Sequence, residues 1–197
     1  MKIRMILIQG MIVRSKGFFL QKNPLCVPHS SFGQKQENNL AKVLKIKGGD
    51  NMANNGKYGE NLFATIMKNS GYEVKDVSGV VEYFPKDIDF VITSPTSGLT
   101  KTFEVKWDTL IHSTKNLYLE IENPRSKQWN GDGWWLHCEA DYLAYGDSYN
   151  ENYYMIPLAD LRDRVSHLPH RVGKTSDGSK GLLVSLNDIS DISIPLI

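Results

Sequence analysis

The segment Thr102–Trp107, with the sequence TFEVKW, constrains the fold of this chain more than any other. Successive side chains of an extended strand point to opposite faces of its sheet. The alternation therefore puts Glu104 and Lys106 on one face, together with Thr102, and sends the apolar side chains to the other. It predicts a β-strand from which an acid and a base emerge side by side.

A second strand signal lies upstream in Asp87–Ile92, with the sequence DIDFVI. The same alternation predicts that Asp89 faces away from the core, which receives the apolar residues Ile88, Phe90 and Ile92. The intervening turn residues, 94–98, predict a hairpin. Pairing of the two strands would bring two carboxylates and an ammonium together. Such a set can hold a hard divalent cation against a phosphodiester and steady the charge that develops on it.

Length and composition narrow the class of protein. With 197 residues the chain fits one domain with a proper core. Its two cysteines, Cys26 and Cys138, lie far apart and lack metal-ligand spacing, so we expect a reducing compartment, the cytoplasm, and no disulfide framework. No apolar run approaches the roughly 20 residues that cross a bilayer, so no membrane span is predicted.

Charge is distributed unevenly along the chain. Residues 1–51 carry nine Lys or Arg against two acidic residues, whereas the remainder carries 14 basic and 20 acidic residues. The segment that contains TFEVKW is therefore acidic. Any nucleic-acid binding must come from a local patch and a metal rather than from bulk charge.

The first 51 residues show no sustained period. Lys47–Met52, KGGDNM, can be encoded by a purine-rich stretch that looks like a ribosome-binding site just before a start codon at Met52. Two hypotheses stay open: residues 1–51 are a leader that is not naturally translated, or they are a basic arm that assists nucleic-acid binding. Both place the folded domain at residues 52–197.

Periodicity predicts the remaining elements. Apolar residues at helical spacing from Tyr58 to Met67 predict a helix that ends near Gly71, with Glu60 at the edge of its apolar face. Asn116–Asn123 alternates as a strand whose outer face carries Glu120 and Glu122. Further strands are predicted at Asp141–Gly146, Asn152–Pro157 and Gly181–Leu186, and further helices at Trp134–Ala140 and Leu158–Leu168.

An acid before one strand and Glu-x-Lys in the next resembles the PD-(D/E)XK nuclease superfamily. The (D/E)XK motif would be Glu104-Val105-Lys106. The first acid would be Asp89, or Asp87, because the Pro-Asp pair of the family is loosened here to FPKDID. The stretch from NLYLEIE at 116–122 to GWW at 133–135 and EADYLAY at 139–145 is similar to phage-type nucleases and resolvases, with Asp132 where serine is usual.

The resemblance implies a fold and a metal centre. The fold would be an α/β restriction-endonuclease-like single domain, with a central mixed β-sheet flanked by helices. Asp89 and Glu104 would coordinate Mg²⁺ or Mn²⁺ with the Val105 carbonyl as a third ligand, and Lys106 would orient or deprotonate the attacking water. The competing hypothesis is that Glu104 and Lys106 form an ordinary surface ion pair.

Two further acids match positions of the family pattern. Glu60 resembles the helix-borne acid beside the metal, and its alternative is a first-turn glutamate that complements the helix dipole. Glu120 lies where related nucleases have an additional metal-site acid. Its alternative is a solvated strand residue, and Glu122 shares its face.

Cations and aromatic residues cluster after the predicted Asn116–Asn123 strand. We expect phosphate contacts and base stacking from Lys115, Arg125, Lys127 and Trp129. Trp134 and Trp135 follow closely, and burial in the core is the favoured interpretation for both.

The expected function is therefore Mg²⁺-dependent endonucleolytic cleavage of DNA. The family analogy also suggests branched DNA as a substrate. A non-catalytic nucleic-acid-binding module and an RNA-cleaving enzyme are the alternatives. Symmetric cutting of two strands would favour a homodimer, because one such site cuts one strand at a time.

Overall fold

The structure is a computed structural model that describes residues 52–196, with side chains from residue 55 onward. Both hypotheses about residues 1–51 lie outside the described residues. Within the described part of the chain, no helix is long and apolar enough to cross a membrane.

The described part of the chain contains four helices, two 3₁₀ turns and nine strands. The helices are α1 (Met52–Asn69), α2 (Ile111–Thr114), α3 (Trp134–His137) and α4 (Leu158–His167), with 3₁₀ turns at Phe84–Lys86 and Leu186–Ile189. The strands are β1 (Glu73–Asp76), β2 (Phe90–Thr93), β3 (Thr100–Asp108), β4 (Asn116–Glu122), β5 (Tyr142–Asp147), β6 (Asn152–Pro157), β7 (Val172–Lys174), β8 (Lys180–Ser185) and β9 (Ile194–Leu196).

The central sheet has six strands in the order β1-β2-β3-β5-β6-β9. The β3–β5 pair is parallel and the other pairs are antiparallel, so the sheet is mixed. The predicted hairpin is β2–β3, which pairs Phe90 with Phe103. The α/β class with a central mixed sheet is confirmed.

A second sheet, in the order β4-β8-β7, was not predicted. Strand β4 pairs with β8, and the register shifts between Glu120 and Glu122. The chain also continues past β8, the last predicted strand, to β9 at the edge of the central sheet. Strand β4 thus belongs to a separate sheet, and its Leu117 and Leu119 share a core with Leu143 of the central sheet.

Two apolar cores lie on opposite sides of the central sheet. The helix-side core joins α1 to β2 and β3 through residues that include Phe63, Phe90, Phe103 and Tyr153. The main core lies between the other sheet face and β4, α3 and α4, and includes Leu117, Leu119, Leu143, Leu161 and Trp135. The central sheet, which includes β3, thus separates the two cores.

The predicted side-chain faces hold for most of the β2–β3 hairpin. Phe90, Phe103 and Val105 pack in the helix-side core, as the alternation predicts. Ile88 is buried as predicted, but it packs in the main core and not on the same face as Phe90 and Ile92. Strand β2 begins only at Phe90, and Asp87 adopts a left-handed φ of 49°, so alternation does not extend upstream of the strand.

Helix α1 packs on β3 at Gly59. A Cβ atom there would lie 2.6 Å from the Cβ of Trp107, and the Gly59 carbonyl accepts a hydrogen bond of 2.5 Å from the Tyr153 hydroxyl. Gly56, on the same helix, has no atom within 4 Å of a built Cβ. The two glycines provide a matched test of this contact.

We expect Gly59→Ala to lower the free energy of unfolding by about 1–3 kcal/mol, because overpacking forces α1 away from Trp107. Gly56→Ala should raise it by about 0.5–1 kcal/mol through helix propensity. Urea unfolding followed by circular dichroism measures both. Equal effects of the two substitutions would contradict the close packing at Gly59.

Candidate active site

Glu104 is buried in the middle of β3, with only 2% of its surface exposed. One carboxylate oxygen, Oε1, is paired with the Lys106 ammonium, and the other, Oε2, has no hydrogen-bond partner. Burial raises the pKa of Glu104 well above its ordinary value; the charge of Lys106 opposes this, and Asp89 and Asp87 add to it. Such a buried, incompletely bonded carboxyl is costly for the fold.

Asp89 lies directly before β2 and is held by the β3 backbone. Its N–H donates to the Phe103 carbonyl over 2.9 Å, and its carboxylate accepts from the Val105 N–H over 3.0 Å. Burial raises the pKa of Asp89 to about 6, against the opposing effects of Lys106 and the Val105 N–H. Because the N–H and C=O of one strand residue point to the same side, the Val105 carbonyl points to the same side of β3 as the N–H that binds Asp89.

Lys106 connects the acids of the site. Its ammonium lies 3.2 Å from Oδ2 of Asp87, contacts Glu104 Oε1, and sits 4.7 Å from the ring centroid of Trp134. Burial lowers the pKa of Lys106, but the charges of Glu104, Asp87 and Asp89 outweigh it and leave the pKa raised. The side chain is therefore a fixed cation in this arrangement.

The opposite wall is formed by α3 and β4. Gly133, at the start of α3, packs so tightly on β4 that a Cβ would collide with the carbonyl oxygen of Glu120. The Glu120 carboxylate accepts a hydrogen bond of 3.1 Å from Asn123. Burial raises its pKa, while Asn123 and the charge of Lys106 lower it. Glu120 is thus close enough to the site for Lys106 to act on it electrostatically.

Glu60 approaches from α1, in the other layer. It forms an ion pair of 2.7 Å with Lys57, and its charge contributes to the raised pKa of Asp89. The structure therefore brings Glu60 within electrostatic reach of Asp89, with Lys57 as its bonded partner.

The residues predicted to bind nucleic acid are spread more widely. Lys115 is exposed after α2, where its carbonyl accepts from the Leu186 N–H. Arg125 lies 3.7 Å from Asp177, and Lys127 is exposed in the loop after β4. These three cations remain candidates for phosphate contacts.

The aromatic residues near this loop have structural partners. The Trp129 ring stacks on His137 with centroids 5.1 Å apart and packs against the main core. Base stacking by Trp129, whose ring already has this partner, stays a prediction. Trp134 and Trp135 are buried in the main core, as the sequence favoured.

Two neighbours of the site have no signal in the sequence. Trp134 was predicted only as a core residue, although its ring also lies under the Lys106 ammonium. The Cys138 thiol lies 3.5 Å from the Asp87 carbonyl oxygen, and burial raises the pKa of the thiol to about 12. Nothing in the spacing of either residue signalled these contacts.

The donor set is compatible with a hard cation. Among residues 52–196, no three His, Cys, Asp or Glu side chains are arranged as a preformed metal site. The Lys106 ammonium instead lies between Glu104 and Asp87. However, Oε2 of Glu104 is a buried carboxyl oxygen without a hydrogen-bond partner and lies near a second carboxyl group, and carboxylate oxygens are the kind of ligand that Mg²⁺ takes.

Comparisons with known proteins add little. No protein-family model matches this chain, and no functionally curated protein matches it. Among solved structures, the chain is similar to that of a bacterial homing endonuclease, I-Ssp6803I. The two share 15% identity over 69% of this chain and 80% of the other, with a TM-score of 0.41. No argument about function follows from a likeness of this extent.

We expect Asp89→Asn to stabilise the protein in EDTA at neutral pH. The folded-state pKa of Asp89, about 6, lies above the ordinary value of 3.8, so ionisation opposes folding as pH rises between these values. The increase in the free energy of unfolding of Asp89→Asn over the wild type should grow from near zero below pH 4 to about 1–2 kcal/mol above pH 6. Urea unfolding at a series of pH values measures it.

Asp141→Asn is the matched control, with the opposite sign. Burial raises the pKa of Asp141, but hydrogen bonds from Lys101 and Thr102 lower it more. Its charged form therefore supports folding above about pH 4, and the variant should lose at most about 1 kcal/mol there, because solvent screens a partly exposed group. A stability loss in Asp89→Asn that resembled this control would contradict the burial penalty.

Proposed function

We propose that this protein is a metal-dependent endonuclease that hydrolyses DNA phosphodiester bonds. The observation that supports it best is Glu104, a buried carboxylate with one unpartnered oxygen, lying near Asp89 and paired with Lys106. A fold does not retain such a costly group for stability alone, because apolar residues would fill this place more favourably.

Mg²⁺ or Mn²⁺ would be held by the carboxylates of Asp89 and Glu104 and by the Val105 carbonyl. Glu120 could contribute through a water molecule, since Mg²⁺ retains much of its hydration shell. When bound, such a cation lowers the pKa of water and stabilises negative charge on a phosphoryl group. The support for this ligand set is the backbone bond between Asp89 and Val105, which holds one carboxylate beside β3.

Lys106, whose raised pKa keeps it a cation, would orient the attacking water and offset the charge that builds up on phosphorus, while the proton of that water leaves to solvent. Its Nζ is fixed for this task by Asp87 and by the face of Trp134. Glu60 would act from α1 through its negative charge next to Asp89. Arg125 and Lys127, with Lys115, would supply contacts to phosphates beyond the scissile bond.

DNA is proposed as the substrate, with branched DNA as a candidate class. A non-catalytic binding module would bind DNA without cleaving it in any metal. An RNA-cleaving enzyme would act on RNA and leave DNA intact. If the protein cuts both strands of a duplex at one position, we expect two copies to act together.

Cleavage assays test the proposal. Supercoiled, linear, single-stranded and four-way-junction DNA, and an RNA of matched sequence, are incubated with the protein in Mg²⁺ or in EDTA. We expect cleavage of DNA in Mg²⁺ alone and a loss of at least about 100-fold in Glu104→Ala and Lys106→Ala, because electrostatic stabilisation and water activation are removed. Undiminished cleavage by either variant would refute the assignment.

Lys101→Ala is the control for this assay. Lys101 lies on the same strand but pairs with Asp141 over 2.9 Å, away from Glu104. The substitution Lys101→Ala removes one positive charge from β3, as Lys106→Ala does. The cleavage rate of Lys101→Ala should stay within about twofold of the wild-type rate.

Metal binding can be measured separately from activity. We expect Mg²⁺ to raise the thermal unfolding midpoint, because a ligand that binds only the folded state stabilises it. The shift should disappear in Asp89→Asn and Glu104→Gln. If Asp89 is the first metal ligand, the Mg²⁺-induced shift should persist in Asp87→Asn. Loss of the shift in Asp87→Asn together with its persistence in Asp89→Asn would make Asp87 the first ligand.

A further inference from the structure

The loop that leads into the candidate active site carries an exposed apolar tip, formed by Val80, Val81 and Phe84. Val81 is 88% exposed, Phe84 53% and Val80 41%. Only two residues separate Phe84 from Asp87, whose carboxylate lies 3.2 Å from Lys106. The tip is therefore continuous along the chain with the site.

Backbone hydrogen bonds give the tip a defined conformation. The N–H of Phe84 and the N–H of Tyr83 both donate to the Val80 carbonyl over 2.9 Å, which closes a single helical turn. Residues four apart in such a turn lie on the same side, so Val80 and Phe84 are neighbours at the tip. The Phe84 carbonyl accepts from Gln128 over 3.0 Å, which ties the tip to the loop after β4.

Charge around the tip indicates what it can contact. Glu82 lies within it, and the nearest cation along the chain, Lys86, is paired with Glu139 at 3.6 Å. Both side chains of that pair are largely exposed, so it neutralises Lys86 only weakly. The tip itself, from Val80 to Phe84, carries no cation, and an apolar surface next to a site for nucleic acid suits the faces of bases rather than the backbone.

We propose that the tip inserts between stacked bases of DNA bound at the candidate active site and unstacks the step beside the scissile bond. This inference rests on the proposed function, because it takes DNA as the occupant of the site. Inserted apolar side chains partly unstack and kink a duplex at a cost of a few kcal/mol per step. DNA whose bases are already unpaired avoids this cost, so the tip would favour branched or mismatched substrates.

Binding in Mg²⁺ to duplexes with nuclease-resistant phosphorothioate backbones tests the inference without cleavage. Two short duplexes are compared, one fully paired and one with a central mismatched loop, each carrying 2-aminopurine, which brightens when it is unstacked, at successive positions. We expect the wild type to bind the mismatched duplex at least about 10-fold more tightly, and to brighten 2-aminopurine in the paired one. The double variant Val81→Ser/Phe84→Ser should bind the two within about twofold and leave the probe dark.

Leu99→Ser is the matched control. Leu99 is 46% exposed at the turn between β2 and β3, outside the tip, so its loss should change neither readout. Unchanged urea midpoints show that all variants are folded, as expected for exposed positions.

Three results would overturn the inference: no brightening by the wild type, equal preference in wild type and double variant, or conversion of a dimer into a monomer by the double variant. The last would assign the tip to contact with a second copy. These outcomes are distinct from failure of the proposed function, which is the absence of DNA cleavage in Mg²⁺. Binding and brightening do not require catalysis.

Discussion

The ion pair between Glu104 and Lys106 in the middle of β3 is the interaction on which the rest of the structure depends. Removing two charges from water costs several kcal/mol per ion, and their attraction offsets this only when further partners are in place. Asp87 and the face of Trp134 supply those partners for Lys106, whereas Oε2 of Glu104 has none. The helix-side core packs on one face of β3 through Phe103 and Val105, and Trp134 of the main core lies beside Lys106 on the other, so the pair is held between the two cores.

The sequence predicted the part of this arrangement that follows from alternation. Phe103 and Val105 face an apolar core, so Glu104 and Lys106 must share the other face, and the hairpin then brings Asp89 to β3. Alternation fails at Ile88, because a left-handed residue and a 3₁₀ turn precede β2 and the period of two does not apply there. A pattern rule is thus reliable only within the element that generates it.

Contacts between layers were beyond the reach of sequence patterns. The outer face of β4 was predicted, but its pairing with β8, roughly 60 residues downstream, has no local signal. The same is true of Trp134, since a buried tryptophan on a short helix has the same sequence signature whether or not a lysine lies over its ring. The close approach of α3 to Glu120 was not predicted from Gly133 either, although the absence of a side chain at Gly133 makes this approach possible.

Asp87 and Asp89, the two candidates for the first metal ligand, have different partners and are therefore suited to different roles. Asp89 is fixed twice by backbone groups of β3, through its own N–H and through its carboxylate, so its oxygens stay beside Val105. Asp87 is bound to the site by its ion pair with Lys106. If the Glu104 carboxylate rotated to bind a metal cation, Lys106 would lose its nearest carboxylate, and a partly buried ammonium without a partner is unfavourable. Asp87 would then keep Lys106 paired, which makes the loosened FPKDID segment, with its two acids, suited to provide one metal ligand and one partner for the lysine.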